Sequence, residues 1–121
     1  MDTPTTTRVF AAARIAYGAG LLVAPGPVGG GWIGGDAQRP ATRVALRALG
    51  IRDIALSAGA LVTAADADRR RPWLWATVGS DCVDVIATVA AGGALSDRAR
   101  VGTALLAGSA ALAGAALACA A

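Results

Sequence analysis

The stretch VGTALLAGSAALAGAALACAA, residues 101–121, decides the fold, because it runs for 21 residues without a charge. An α-helix rises about 1.5 Å per residue, so this run matches the roughly 30 Å hydrocarbon core of a bilayer. Lipid offers no partner to a backbone N–H or C=O, and a helix satisfies them all within the segment. Small residues recur here at spacings of three and four, as at Gly108, Ala111 and Ala115. Such spacing lets helix backbones approach closely, the usual mode of helix association in lipid.

Working back from this span, SDRAR (96–100) reads as a polar turn and residues 73–95 as a second long apolar segment. Trp73 and Trp75 open it and suit a membrane–water boundary, where an indole keeps its N–H wet. DADRRRP (66–72) reads as a charged turn that water must cover. Residues 42–65 form a further span, with Pro40 placed where a helix starts. PGPVGGGWIGG (25–35) reads as a loop by composition, with Trp32 at the interface. The first apolar run, residues 9–24, is short against the roughly 20 residues a span needs. A cleaved signal peptide is the competing reading, but Arg14 and Tyr17 interrupt the run in a way such a segment rarely accepts. The expectation is an all-α integral membrane bundle of four transmembrane helices, at 9–24, 42–65, 73–95 and 101–121. It forms a single domain over 8–121 behind a polar lead, MDTPTTT, at 1–7.

The totals agree. Of 121 residues, 55% are hydrophobic and 16% charged, against about 25% charged in an ordinary soluble domain; the mean hydropathy is +0.57. The net charge is +3, from 11 arginines and 8 aspartates, with no Lys, Glu or His. Heavy use of Ala, Gly, Arg and Asp suggests a bacterial genome of high G+C content, and the expected location is a bacterial plasma membrane. The arginines are scattered over helix ends and interiors with no basic, aromatic-interleaved face, which argues against nucleic acid as a partner. Without His or Glu, and with only Cys82 and Cys119, no zinc or haem site is expected, and no other cofactor. Absent lysine excludes a Schiff base. The cysteines read as small buried hydrophobes. Four spans place both termini on one side together with Arg8, Arg69, Arg70 and Arg71, and Arg39, Arg43, Arg98 and Arg100 on the other. The concentration of arginines in one turn favours cytoplasmic termini.

The informative residues are the ionisable ones inside the spans: Arg14 in the first, Arg47, Arg52 and Asp53 in the second, Asp81 and Asp84 in the third. At about 2.5–3.5 kcal/mol each, six such residues would oppose insertion by up to roughly 15–20 kcal/mol if uncompensated. Arg14 and Arg47, read as lying near helix ends, can snorkel to the surface. The other four lie at similar depth on consecutive helices, roughly 12–20 Å from the DADRRRP turn, so they can meet. Thr77, Asp81, Asp84 and Thr88 fall on one face of the third helix, and Gly50, Asp53 and Ser57 on one face of the second.

RIAYGAGLLVAPGP (14–27), RVALRALGIRDIALSAGAL (43–61) and RPWLWATVGSDCVDVIAT (71–88) together resemble a family of small bacterial four-helix membrane proteins catalogued as a domain of unknown function. Gly50–Asp53 (G-x-R-D) and Asp81–Asp84 (D-x-x-D) are the most specific parts. The resemblance implies the membrane fold and no particular activity.

Three functions stay open from the residues. Asp81 and Asp84 are candidate acid and base, with Arg52 and Asp53 as the other candidate catalytic residues, acting on a lipophilic small molecule. The same carboxylates suit a homo-oligomeric transport or proton- and ion-permeation subunit. The uncharged fourth helix suits an accessory subunit packed on a larger membrane partner. Alternatively the charges form an ion-pair network that only fixes helix register. Short Ala- and Gly-rich helices are expected to leave little room for a pocket within one bundle.

Overall fold

Asp2 starts the first helix: its carboxylate accepts the N–H of Thr5 at 2.8 Å and Pro4 occupies the first turn, where a missing N–H costs nothing. The computed structural model describes residues 1–120. Among them are five α-helices and no strand: α1 (Thr3–Val23), α2 (Pro25–Ile33), α3 (Pro40–Val62), α4 (Ala67–Ala91) and α5 (Asp97–Cys119). Tight turns of 3-10 helix at Gly34–Gln38 and Gly92–Ala94 follow α2 and α4. Asp66 caps α4 by accepting from the N–H groups of Asp68 and Arg69, and Ser96 caps α5 by accepting from Ala99. Gly34 (φ 71°) and Gly92 (φ 52°) end α2 and α4 in the left-handed region that favours glycine.

Several expectations are corrected here. The lead at 1–7 is not separate, because Thr3 onward is the first turn of α1 and Thr7 is fully buried. Residues 25–33 are helical and not loop. Pro25 opens α2, and the bare glycine face packs closely: a Cβ on Gly29 would stand 2.5 Å from Leu46 Cδ1. Local composition suggested a loop, and tertiary contact overrides it. The DADRRRP segment is the capped start of α4, with Pro72 inside the helix and Arg70 only 2% exposed. The helices read at 42–65, 73–95 and 101–121 run over 40–62, 67–91 and 97–119, and Ala121 lies outside the described residues. Cys82 and Cys119 are exposed, not buried.

Two helices, residues 67–94 and α5, are long and apolar enough to cross a membrane. A third is reached if α1 and the segment Pro25–Gln38, bent by 109°, form one span. α3 falls outside because every stretch of sufficient length contains Arg47, Arg52 and Asp53.

The helices pair as α1 with α3 and α4 with α5, the pairs join through α3 and α4, and α1 barely meets α5. At one end, Ala11, Ala60, Leu74, Leu117 and Ala118 form an apolar core with Phe10 against it. At the other, Leu21, Ala37 and Leu46 form a second, with Val28, Trp32 and Leu49. The starts of α1 and α4 therefore lie beside the ends of α3 and α5, in an up-and-down arrangement. Gly18 and Gly50 mark a close backbone crossing of α1 and α3, where a Cβ on Gly50 would stand 2.5 Å from the Gly18 carbonyl oxygen. In α5 the close approach is at Gly114, against Val78 and Phe10, while Gly108 faces open space.

Candidate functional site

On α1, Ala11 belongs to one apolar core and Leu21 to the other; Arg14 lies between them. On α3, Ala60 and Leu46 flank Asp53, and on α4 Asp81 lies two turns beyond Leu74. Arg14 of α1, Asp53 of α3 and Asp81 of α4 thus meet in a layer between two apolar ends, joined there by Arg52 and Asp84. Arg14 bridges two helices there. Its Nη1 donates to Asp81 Oδ2 at 2.8 Å, and its Nη2 donates to both Asp81 Oδ1 and Asp53 Oδ1 at 2.9 Å. Arg52 forms a two-pronged pair with Asp84, at 3.1 and 2.7 Å, and its Nη2 stands 3.7 Å from Asp53 Oδ1. Asp53 and Asp81 are 5% and 3% exposed. Two-pronged arginine–carboxylate pairs are among the strongest hydrogen-bonded contacts in proteins, and they offset the cost of burying these charges.

The structure brings all four candidate catalytic residues, Arg52, Asp53, Asp81 and Asp84, into one cluster and adds Arg14 as its centre. Arg14 was expected to snorkel. It does not, because α1 begins at Thr3, which leaves Arg14 near the middle of a helix of 21 residues. Arg14 also stands 5.7 Å from the centre of the Phe10 ring, a cation over an aromatic face. Arg47 is not in the cluster. It is exposed and donates from Nε to the carbonyl of Leu22 at 3.2 Å. Thr77 and Thr88 spend their hydroxyls on carbonyls one turn back, those of Trp73 and Asp84. Arg14 and Arg52 each keep a buried Nε–H without a partner among the described residues, and the Ser57 hydroxyl, one turn from Asp53, likewise has none there.

Beside the cluster, where α1 and α5 fail to close on one another, is a cavity of about 300 Å³. This corrects the expectation of little room, and reaches the lower end of the range for small-molecule sites. Its walls are mainly apolar, from Phe10 and Tyr17 of α1, Leu49 of α3 and Leu106 of α5, and its polar part is Arg14, Asp53, Asp81 and Asp84. Trp32 closes one end, its indole N–H donating to Thr103 Oγ1 at 2.7 Å. That contact ties α2 to α5 and was not read from the sequence. Its only traces there are an indole within a glycine run and a threonine within the charge-free segment. No group of side chains suited to hold a metal occurs among the described residues.

No family model, curated protein or solved structure matches the chain. A functional reading therefore rests on the site alone.

Proposed function

We propose that α1, α3, α4 and α5 cross the membrane as one bundle and that the cavity between α1 and α5 binds a lipophilic small molecule, with the Arg–Asp layer as its polar floor. The observation that carries this is the cavity itself: about 300 Å³, walled by apolar and aromatic side chains, with Arg14 and three carboxylates in its lining. α3 is admitted to lipid because Arg52 and Asp53 are paired inside the bundle and Arg47 lies near its first turns. The end bearing Arg8, Arg69, Arg70 and Arg71 is assigned to the cytoplasm on the positive-inside tendency.

Binding is better supported than acid–base chemistry. Asp81 and Asp84 each commit both oxygens to a guanidinium, so a reacting group must share either carboxylate with its arginine. The cavity and its charged layer are formed by residues of one chain. The test is to fill the cavity. Ala107 lines it, and Ala107→Phe should abolish binding of a neutral apolar probe, neopentylbenzene, followed by saturation-transfer NMR in nanodiscs. Helix content should not change. Equal binding by the filled variant would sink the proposal.

A further inference from the structure

Counting the charges of the cluster gives two guanidiniums, Arg14 and Arg52, against three carboxylates, Asp53, Asp81 and Asp84, a net of −1. The imbalance is larger at the cavity wall. All three carboxylates line it, but Arg14 is the only guanidinium that does; Arg52 sits outside the wall. Asp53 spends a single oxygen, Oδ1, on both arginines, and its Oδ2 accepts no hydrogen bond among the described residues. Asp84 is the most open of the three, its side chain 28% exposed. The rest of the lining is largely aromatic and apolar, with Phe10, Tyr17 and Trp32 in it, and aromatic faces attract cations.

We infer that the ligand of this cavity is a lipophilic organic cation, an ammonium group on an apolar body, whose charge brings the Arg14–Asp53–Asp81–Arg52–Asp84 layer to neutrality. This rests on the cavity being a binding site for lipophiles. An excess negative charge beside lipid is unfavourable, and a positive guest relieves it while its apolar part fills the remaining walls. A bare metal ion fits poorly, since the carboxylates turn to arginines instead of converging on a common point.

The experiment compares two probes of the same shape, benzyltrimethylammonium and neutral neopentylbenzene, in phosphatidylcholine nanodiscs at neutral pH. Each is corrected for its partition into protein-free nanodiscs. Wild type should bind the cation about tenfold or more tightly than the neutral probe, equivalent to ~1.4 kcal/mol. Asp53→Asn and Asp84→Asn each remove the excess charge. Each should cut cation affinity by a similar factor and bring the ratio of cation to neutral-probe affinity toward one. Equal affinity for the two probes in wild type, or cation affinity untouched by both substitutions, overturns the inference. If neither variant folds by circular dichroism, the wild-type comparison decides alone. If the neutral probe binds and Ala107→Phe abolishes it, but the cation shows no preference, the lipophile site stands and the cationic ligand falls. If neither probe binds, both fall.

Discussion

Replacing Arg14 with methionine removes the joint of the charged layer and keeps most of its apolar stem against Phe10. The substitution deletes three charge-assisted hydrogen bonds, of 2.8, 2.9 and 2.9 Å. Asp53 and Asp81 are left side by side, 5% and 3% exposed, with only Arg52 within reach of Asp53, at 3.7 Å. Breaking one side of a buried pair costs about 3–5 kcal/mol, mostly from the charge left behind. For a chain of this size that lowers the melting temperature by on the order of 10–20 °C. The same accounting predicts rescue: adding Asp53→Asn and Asp81→Asn removes the stranded charges, and the triple variant should recover more than half of the loss. Thermal unfolding in detergent, followed by helical circular dichroism, reads the melting shift. Titration with sodium dodecyl sulfate reads the free energy. A loss below about 1 kcal/mol would mean that Arg14 is effectively solvated, as a surface pair is. A triple variant no more stable than Arg14→Met would refute the claim that stranded charge is the cause.

Gly50→Ala should destabilise by about 1–3 kcal/mol or more, since its Cβ would collide with the Gly18 carbonyl. Gly108→Ala, which meets nothing within 4 Å, should leave the melt unchanged or slightly raised; equal effects at the two sites would contradict the packing described. Trp32→Phe loses the indole donor to Thr103, whose own hydroxyl still donates to Ala99 at 2.8 Å. The cost should be about 1 kcal/mol, seen as faster amide exchange in α2 with α4 unaffected, and unaltered exchange in α2 would count against the tie. Hydrogen bonds from Thr5 hold the Asp2 carboxyl below the ordinary aspartate value of 3.8. Its cap is therefore fully present above that value and is lost as the pH falls through the lower folded value. Amide exchange at Thr5 should quicken only in that acid window, and Asp2→Asn should flatten the response.

Much of the helical layout was legible because charge and hydropathy act over whole segments, and a run such as 101–121 leaves few alternatives to a helix. The polar stripes were legible too. Asp53 and Asp81 face inward as the spacing of Gly50, Asp53 and Ser57, and of Thr77, Asp81 and Asp84, requires. What escaped depends on contacts between distant residues. Pro25–Ile33 looks like a loop until Leu46 is packed on Gly29. Arg14 looked peripheral because the threonines before it are poor in hydropathy, although Asp2 and Pro4 start a helix there. The cavity was invisible for a related reason: residue size predicts close packing between neighbours, but not that α1 and α5 stay apart.

Six of the eleven arginines divide into two groups by what they touch. Arg47 donates to Leu22 at the end of α1, Arg98 to Gly31 near the end of α2, and Arg70 and Arg71 to Ala120 and Ala118 at the end of α5. These four satisfy carbonyls that a helix terminus leaves without a partner, at the negative end of the helix dipole. Arg70 is buried for that reason, with a further donation to Ala64. No carboxylate is needed for this work, and none is supplied to Arg47, Arg70 or Arg98 by a salt bridge among the described residues. Arg14 and Arg52 differ: they sit away from helix ends, face carboxylates, and are outnumbered by them. Each of the three carboxylates holds a bond in the layer, Asp53 and Asp81 to Arg14 and Asp84 to Arg52, but fixing helix register does not by itself call for a net negative charge. All three aspartates line the cavity, and the proposed lipophilic cation gives their surplus charge a partner there.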